Sequence, residues 1–201
     1  MSYTMHISPG NRKLGAIPSF SLPAGLTCSQ SACSTCYQDC YFRRHVERPY
    51  KKARENYQEN YEMALHDPEL LEQTLNWYFD APNAPRLFRV HVGGDFFSAA
   101  YFEMWLRVIR DHPNTRFLAF TKQFGIIAPY VNDLPGNLAL VLSAWPGMAL
   151  PDTLAAKLPI AWMQDGTEER IPEDAIPCSG HCASCGQCWA LEGKHVVFHK
   201  H

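Results

Sequence analysis

Long hydrophobic runs are missing from this sequence. No uninterrupted apolar stretch approaches the roughly 18 residues that a bilayer-spanning helix requires, and residues 1–15 hold no apolar segment of signal-peptide length. Both absences point to a cytoplasmic chain with no membrane partner. An excess of charge of one sign is missing too, with 18 Lys and Arg against 20 Asp and Glu. Bulk electrostatics therefore recruits neither nucleic acid nor a lipid surface, and any such role has to be local. No Gly/Ser, Gln/Asn or acidic tract marks a disordered linker, and no internal repeat suggests a solenoid. There is no Walker-type phosphate loop, nucleophile elbow or zinc-protease helix. At 201 residues the chain is long enough for one well-filled core and short for two, so residues 1–201 are read as a single α/β domain.

What the sequence does have is cysteine. Eight of them fall into two groups of four, Cys28, Cys33, Cys36 and Cys40, then Cys178, Cys182, Cys185 and Cys188. A reducing cytoplasm keeps thiols available as ligands rather than storing them as disulfides. The spacings C-x4-C-x2-C-x3-C and C-x3-C-x2-C-x2-C each supply four soft thiolates within a span that can wrap one site. Soft donors favour iron-sulfur clusters or zinc over hard cations. A single zinc site built from Cys33, Cys36, Cys185 and Cys188 would leave four cysteines without a role. Two [4Fe-4S] clusters, one in the loop 28–40 and one in 178–188, use all eight and are the preferred reading, with zinc as the alternative metal.

Between the two groups lies an alternating pattern. Helices are predicted over 48–65 and 68–79, the second capped by Asp67 with Pro68 in its first turn. A strand is predicted over 87–92, then a turn at Gly93, Gly94 and Asp95. A helix capped by Ser98 follows and runs to about Asp111, presenting Phe102, Trp105, Leu106 and Ile109 on one face. Further strands are predicted over 117–121, 138–143, 160–163 and 196–198, with a short helix over 152–157. Strands alternating with helices favour a mostly parallel sheet, in which ligands gather at the carboxyl ends of the strands. His91 and Asp95 flank one such end, Thr121 and Lys122 close the next, and Ser143 closes the one after that. His91 could orient a reacting group or be a core histidine paired with a neighbour. Asp95 could bind an amino group or only satisfy turn amides. Lys122 could contact a carboxylate or phosphate, or be a solvated loop lysine.

Cysteines placed before a helix, then a strand ending in Gly-Gly-acidic and a further helix-strand unit, resemble the front half of the radical S-adenosylmethionine fold. That resemblance implies a partial (β/α) barrel with cysteine-rich N-terminal and C-terminal segments. It implies a catalytic cluster on the first cysteine group and a cofactor turn at Gly93, Gly94 and Asp95. It also implies S-adenosylmethionine as a second cofactor, and a reductant protein as partner. Neither triplet of the first group has that family's C-x3-C-x2-C spacing, however, and a fourth cysteine could close the iron that the chemistry needs open. Over most of its length the chain is similar to the phage and bacterial gene product 88 family. The similarity is carried by Leu22-Pro23-Ala24 with Thr27-Cys28, by 36–41, by the segment from Phe88 through His91, Gly93, Gly94 and Asp95 to Ser98, by Thr121-Lys122 and by the last cysteine group.

The basic stretch 43–54 holds Arg43, Arg44, Arg48, Lys51, Lys52 and Arg54 with Tyr41, Tyr50 and Tyr57 nearby. Such a mixture can bind nucleic acid by phosphate neutralisation and base stacking. It can equally form a solvated helix face, because Glu59 and Glu62 follow. Three functions are therefore carried forward: a radical S-adenosylmethionine-like enzyme, with His91, Asp95 and Lys122 as catalytic candidates and Gly93, Gly94, Asp95 and Thr121 as cofactor-binding ones; a non-catalytic iron-sulfur carrier or sensor; and a zinc-stabilised nucleic-acid binder.

Overall fold

A computed structural model describes residues 3–28, 34–166 and 171–199, with only the backbone described at 34 and 35. Cys33 lies outside the described residues. The elements in chain order are β1 (Ile7–Ser8), β2 (Ser19–Phe20), α1 (Ser34–Gln38), a π-helical turn (Arg43–Glu47), α2 (Lys51–His66), α3 (Pro68–Asp80), β3 (Leu87–Val90) and α4 (Ala99–Asp111). They continue with β4 (Arg116–Thr121), α5 (Phe124–Ile127), β5 (Leu138–Ala144), α6 (Asp152–Ala155), β6 (Ile160–Gln164), β7 (Ile176–Pro177), α7 (Cys182–Cys185) and β8 (Val196–His199).

Local chemistry sets most of these boundaries. The Asp67 side chain accepts from Leu70 N at 3.2 Å and Pro68 opens α3, as the capping pattern predicts. Ser98 Oγ accepts from Tyr101 N at 3.2 Å and starts α4. Such caps each stabilise a helix by about 1 kcal/mol. The helix predicted over 48–65 instead starts at Lys51. It is preceded by a π turn in which Arg48 N reaches back to Arg43 O at 3.0 Å. The buried Glu47 at the end of that turn accepts from Ala24 N at 2.7 Å, a tertiary tie that sequence periodicity does not register. The strand predicted over 87–92 stops at Val90 because His91 takes φ of 61°, a left-handed conformation that no strand continues through.

The strand order is β1-β2-β3-β4-β5-β6-β8-β7, with β1 antiparallel to β2 and every other pairing parallel. A sheet wound in nearly sequential order with right-handed crossovers places its helices on one face. Side-chain alternation then divides the sheet cleanly. Phe88, Val90, Phe117, Ala119, Leu140 and Leu142 pack into the helix-side core with Leu71, Leu75, Phe102 and Trp105. Phe79, Phe88 and Phe117 meet edge to face there at centroid separations of 4.9 to 5.9 Å. Truncating the fully buried Trp105 to Ala should cost about 3–5 kcal/mol.

The other face carries Leu87, Leu118, Phe120, Val141, Ala161 and Val196, and is covered by Leu14, Ile17, Trp189 and Leu191. Trp189 is pinned by its indole N–H to Phe88 O at 3.3 Å. This second layer is supplied by the loop after β1 and by the C-terminal segment, neither of which forms a long helix. No described helix is long and apolar enough to cross a membrane.

Two candidate cysteine sites

The first site is built on the turn after β3. Gly94 has φ of 79°, and a Cβ there would lie 2.6 Å from Thr27 Oγ1 and 2.7 Å from Leu22 Cβ. A Cβ on Gly93 would lie 1.9 Å from the Phe42 ring. The two glycines thus let both flanks of the first cysteine loop, Thr27-Cys28 and Phe42, close onto the strand end. Thr27 fastens the contact, its hydroxyl donating to Pro23 O at 3.0 Å and accepting from Asp95 N at 3.2 Å. Gln123 Nε2 adds a bond to Thr27 O at 3.1 Å.

Asp95 ties this turn to the next strand. Its carboxylate accepts from Phe96 N at 2.8 Å, Thr121 Oγ1 at 2.7 Å and Lys122 N at 2.8 Å. Burial pushes its pKa up to about 6, against the pull of those three donors and of the Lys122 charge. Three of the roughly four lone-pair positions of a carboxylate are filled, which leaves one on Oδ2. Lys122 Nζ donates to Ser143 Oγ at 2.9 Å. Asp95, Thr121, Lys122 and Ser143, each predicted at a strand end, therefore form one connected row along the carboxyl edge of β3, β4 and β5.

Cys28 faces this row. Its thiol accepts from Gly25 N at 3.4 Å. Burial pushes it up to about 12, the Gly25 amide opposes that, and Asp95, Lys122 and Cys40 act on it as nearby charges. Without a metal the group is a protonated thiol, and metal binding here would release a proton. Arg43 lies over the Tyr37 ring at 4.2 Å, and Arg44 Nη2 donates to Gln38 O at 2.9 Å and Asp39 Oδ1 at 3.0 Å. Two members of the basic stretch are thus engaged in holding the cysteine loop.

His91 is placed elsewhere. It is buried in the helix-side core beside Phe96, Phe20 and Trp105, with Nε2 2.9 Å from Tyr101 Oη. Burial, then the Arg89 charge, depresses it to about 3, so the ring is neutral at any ordinary pH.

The second site lies on the opposite face of the sheet. Cys178, Cys182, Cys185 and Cys188 line a single concavity whose walls include Ile176, Trp189, Leu191 and Val196. Backbone bonds position these cysteines: Cys178 N to Val197 O at 2.9 Å, Cys182 N to Lys13 O at 2.8 Å, and Gly186 N, in a left-handed C-cap, to Cys182 O at 2.8 Å. Burial pushes Cys188 up to about 11 and raises Cys182. Four soft donors in an apolar recess are the donor set of a thiolate-bound metal centre. Zinc–sulfur bonds of about 2.3 Å would draw tetrahedral thiolates to about 3.8 Å from one another. Among the described residues, no three Cys, His, Asp or Glu side chains are gathered to hold one ion.

Arg89 is the residue that sequence reading missed. It projects from β3 onto this second face, where its guanidinium stacks 4.2 Å over the Phe120 ring and Nε donates to His91 O at 3.0 Å. A lone charged residue in a strand that reads Leu-Phe-Arg-Val was the available signal, since parallel strands are otherwise near-continuously apolar.

One mostly parallel α/β sheet carrying a cysteine loop at its strand ends and a cysteine-lined recess on its second face defines the class of protein. The chain belongs to the Gene product 88 family, whose model matches residues 5–191. It is 32% identical over 215 aligned positions to the Gene 88 protein of Mycobacterium phage L5, covering 92% of this chain and 88% of that protein. It is 31% identical over 226 positions to the Gene 88 protein of Mycobacterium phage D29, covering 96% and 91%. No solved structure matches the chain.

Proposed function

We propose that this protein is an iron-sulfur protein with two [4Fe-4S] centres, one on Cys178, Cys182, Cys185 and Cys188 and one on Cys28, Cys33, Cys36 and Cys40. The observation that carries the reading is that all four C-terminal cysteines line one apolar recess. Zinc is the alternative metal, because thiolates hold either centre. The chemistry such a centre supplies is one-electron transfer, at a potential set by its charge, hydrogen bonds and burial. The protein's part is to exclude water with Trp189, Leu191 and Ile176, and to fix ligand spacing through the backbone bonds of Cys178 and Cys182.

The finer reading is a partial (β/α) barrel with radical S-adenosylmethionine-like chemistry at the first centre. The sequential strand order and the absence of long helices among the described residues of the second face favour that winding. Cys28 lies beside the Asp95 turn, where the open lone pair of Asp95 and the Lys122 ammonium offer contacts for an amino and a carboxylate group.

The deciding experiment is anaerobic purification with iron, sulfide and zinc quantified, followed by electron paramagnetic resonance of the reduced protein with and without S-adenosylmethionine. Two filled centres give about eight iron and eight sulfide per chain. A signal altered by S-adenosylmethionine supports an open iron, and an unaltered one supports a carrier or sensor. Zinc without sulfide overturns the iron-sulfur reading.

A further inference from the structure

Resting on the reading of Cys178, Cys182, Cys185 and Cys188 as a metal centre, we infer that Arg89 is the built-in counter-charge of that centre, a positioning residue that admits its negative charge to the sheet face and sets its potential. Arg89 keeps a little exposed surface, but its guanidinium is densely surrounded by protein. Among the described residues no carboxylate pairs with it. Phe120, over whose ring the guanidinium stacks, packs against the same apolar cluster as Cys178, Cys182 and Cys188, and those three thiols are the acidic groups nearest to act on it. A largely enclosed cation with no carboxylate partner is costly to maintain, and an anionic centre in the adjoining recess would offset that cost. Three elements fix its aim: the β3 register that turns Leu87 and Arg89 to the second face, the Phe120 ring beneath it and the His91 carbonyl.

That carbonyl points to Arg89 Nε from a residue at φ of 61°. The non-glycine left-handed conformation is a strained one, and the bond it makes gives the strain a role. Four thiolates around a [4Fe-4S] core leave the centre with a net negative charge that grows on reduction. An enclosed cation therefore favours the reduced form and raises the potential. Lys13 also acts on Cys182, but it is solvent-exposed, so water and salt screen it.

The test compares the full-length wild type with Arg89→Met, Arg89→Lys, Lys13→Gln and Cys182→Ser, after anaerobic metal and sulfide loading. Read-outs are metal and sulfide per chain and redox titration of each centre, with circular dichroism to confirm folding. Arg89→Met is expected to load the C-terminal centre several-fold less than wild type. In the fraction that loads, the reduced-to-oxidised ratio at fixed potential should fall on the order of tenfold, about 59 mV for one electron. The N-terminal centre should be unchanged, Arg89→Lys should restore most of the loading, and Lys13→Gln should resemble wild type. Wild-type loading with unmoved potentials in Arg89→Met overturns the assignment, as does equal loss in a folded Arg89→Lys. The identity of the wild-type metal judges the iron-sulfur reading separately: if it is zinc, a several-fold lower zinc content in Arg89→Met still supports Arg89. A chain that loads no metal defeats both.

Discussion

Cys28 and Cys182 both have their acidity weakened by burial, and yet the fixed charges around them differ in sign. Near Cys28 stand the Asp95 carboxyl and the Lys122 ammonium, which oppose each other. Near Cys182 the charged neighbours other than cysteines are Lys13 and Arg89, both cations, and near Cys188 there is Arg89 alone. Equal numbers of thiols therefore do not make equivalent sites. The strand edge offers alternating polar ends of β3, β4 and β5, which can balance one another. The sheet face offers apolar side chains and two cations, of which only Arg89 is enclosed by protein, so its balance hangs chiefly on that residue. A centre at the edge suits exchange with a ligand, and one on the face suits a fixed charge held away from water.

The comparison breaks fastest at the residue the two regions share. His91 gives its carbonyl to Arg89 on one face and its ring to Tyr101 on the other, three residues before Gly94. Its folded value of about 3 lies below the unfolded value of 6.5. A depressed histidine binds fewer protons when folded, so its contribution is fully present above pH 6.5 and is lost as pH falls toward 3. The slope should be about 1.4 kcal/mol per pH unit through that window. His91→Asn, which tolerates a positive φ, should remove that slope while lowering stability at pH 7. Urea unfolding from pH 7 to 4 checks it, and equal slopes in both proteins would show that His91 is not held neutral.

Next in size is Gly94→Ala. The left-handed φ and the overlap with Thr27 and Leu22 should together cost about 3 kcal/mol. The metal-loaded protein should lose the N-terminal centre first, because Thr27 docks its loop, while the recess on the other face keeps its signal. Loss of both signals in step would mean that the two regions are not separately supported.

Much of this was legible in the sequence. Asp67 and Ser98 announce α3 and α4, and the apolar runs announce β3 to β6 to within a few residues. The row Asp95, Thr121, Lys122 and Ser143 followed from strand ends in a parallel sheet. The strands Ile7–Ser8, Ser19–Phe20 and Ile176–Pro177 were not legible, because two residues carry no periodicity and form only where a neighbouring edge pairs with them. The direction of His91 was hidden for a related reason: a single left-handed residue reverses which face its side chain meets. Arg89 was hidden because its partner is nearly a hundred residues away in the chain.

Asp95→Asn comes third. An amide can accept with its oxygen only, so one donor among Phe96 N, Thr121 Oγ1 and Lys122 N meets an NH2 group instead. Leaving one buried donor unpaired should cost about 2 kcal/mol. Thermal unfolding measures that loss. Under the enzyme reading the same variant also abolishes any response of the cluster signal to S-adenosylmethionine, whereas under the carrier reading it leaves both cluster signals in place.

The smallest expected effect concerns the basic stretch. Arg44 is exposed and pairs with Asp39 at 3.0 Å, and Lys51 stands 3.6 Å from Glu55 across one helical turn. Exposed pairs of this kind contribute about 0.5 kcal/mol or less each, so Arg44→Ala with Lys51→Ala should barely move the unfolding midpoint. The informative change is local. Arg44 also holds Gln38 O at 2.9 Å, inside the segment between Cys36 and Cys40, and its removal should speed loss of metal from the first centre to a chelator while the second centre is untouched. If these cations instead serve nucleic acid, the wild type will bind polynucleotide with a steep salt dependence that the double variant lacks. Chelation kinetics and a salt titration, run on the same two proteins, separate a loop clamp from a nucleic-acid contact.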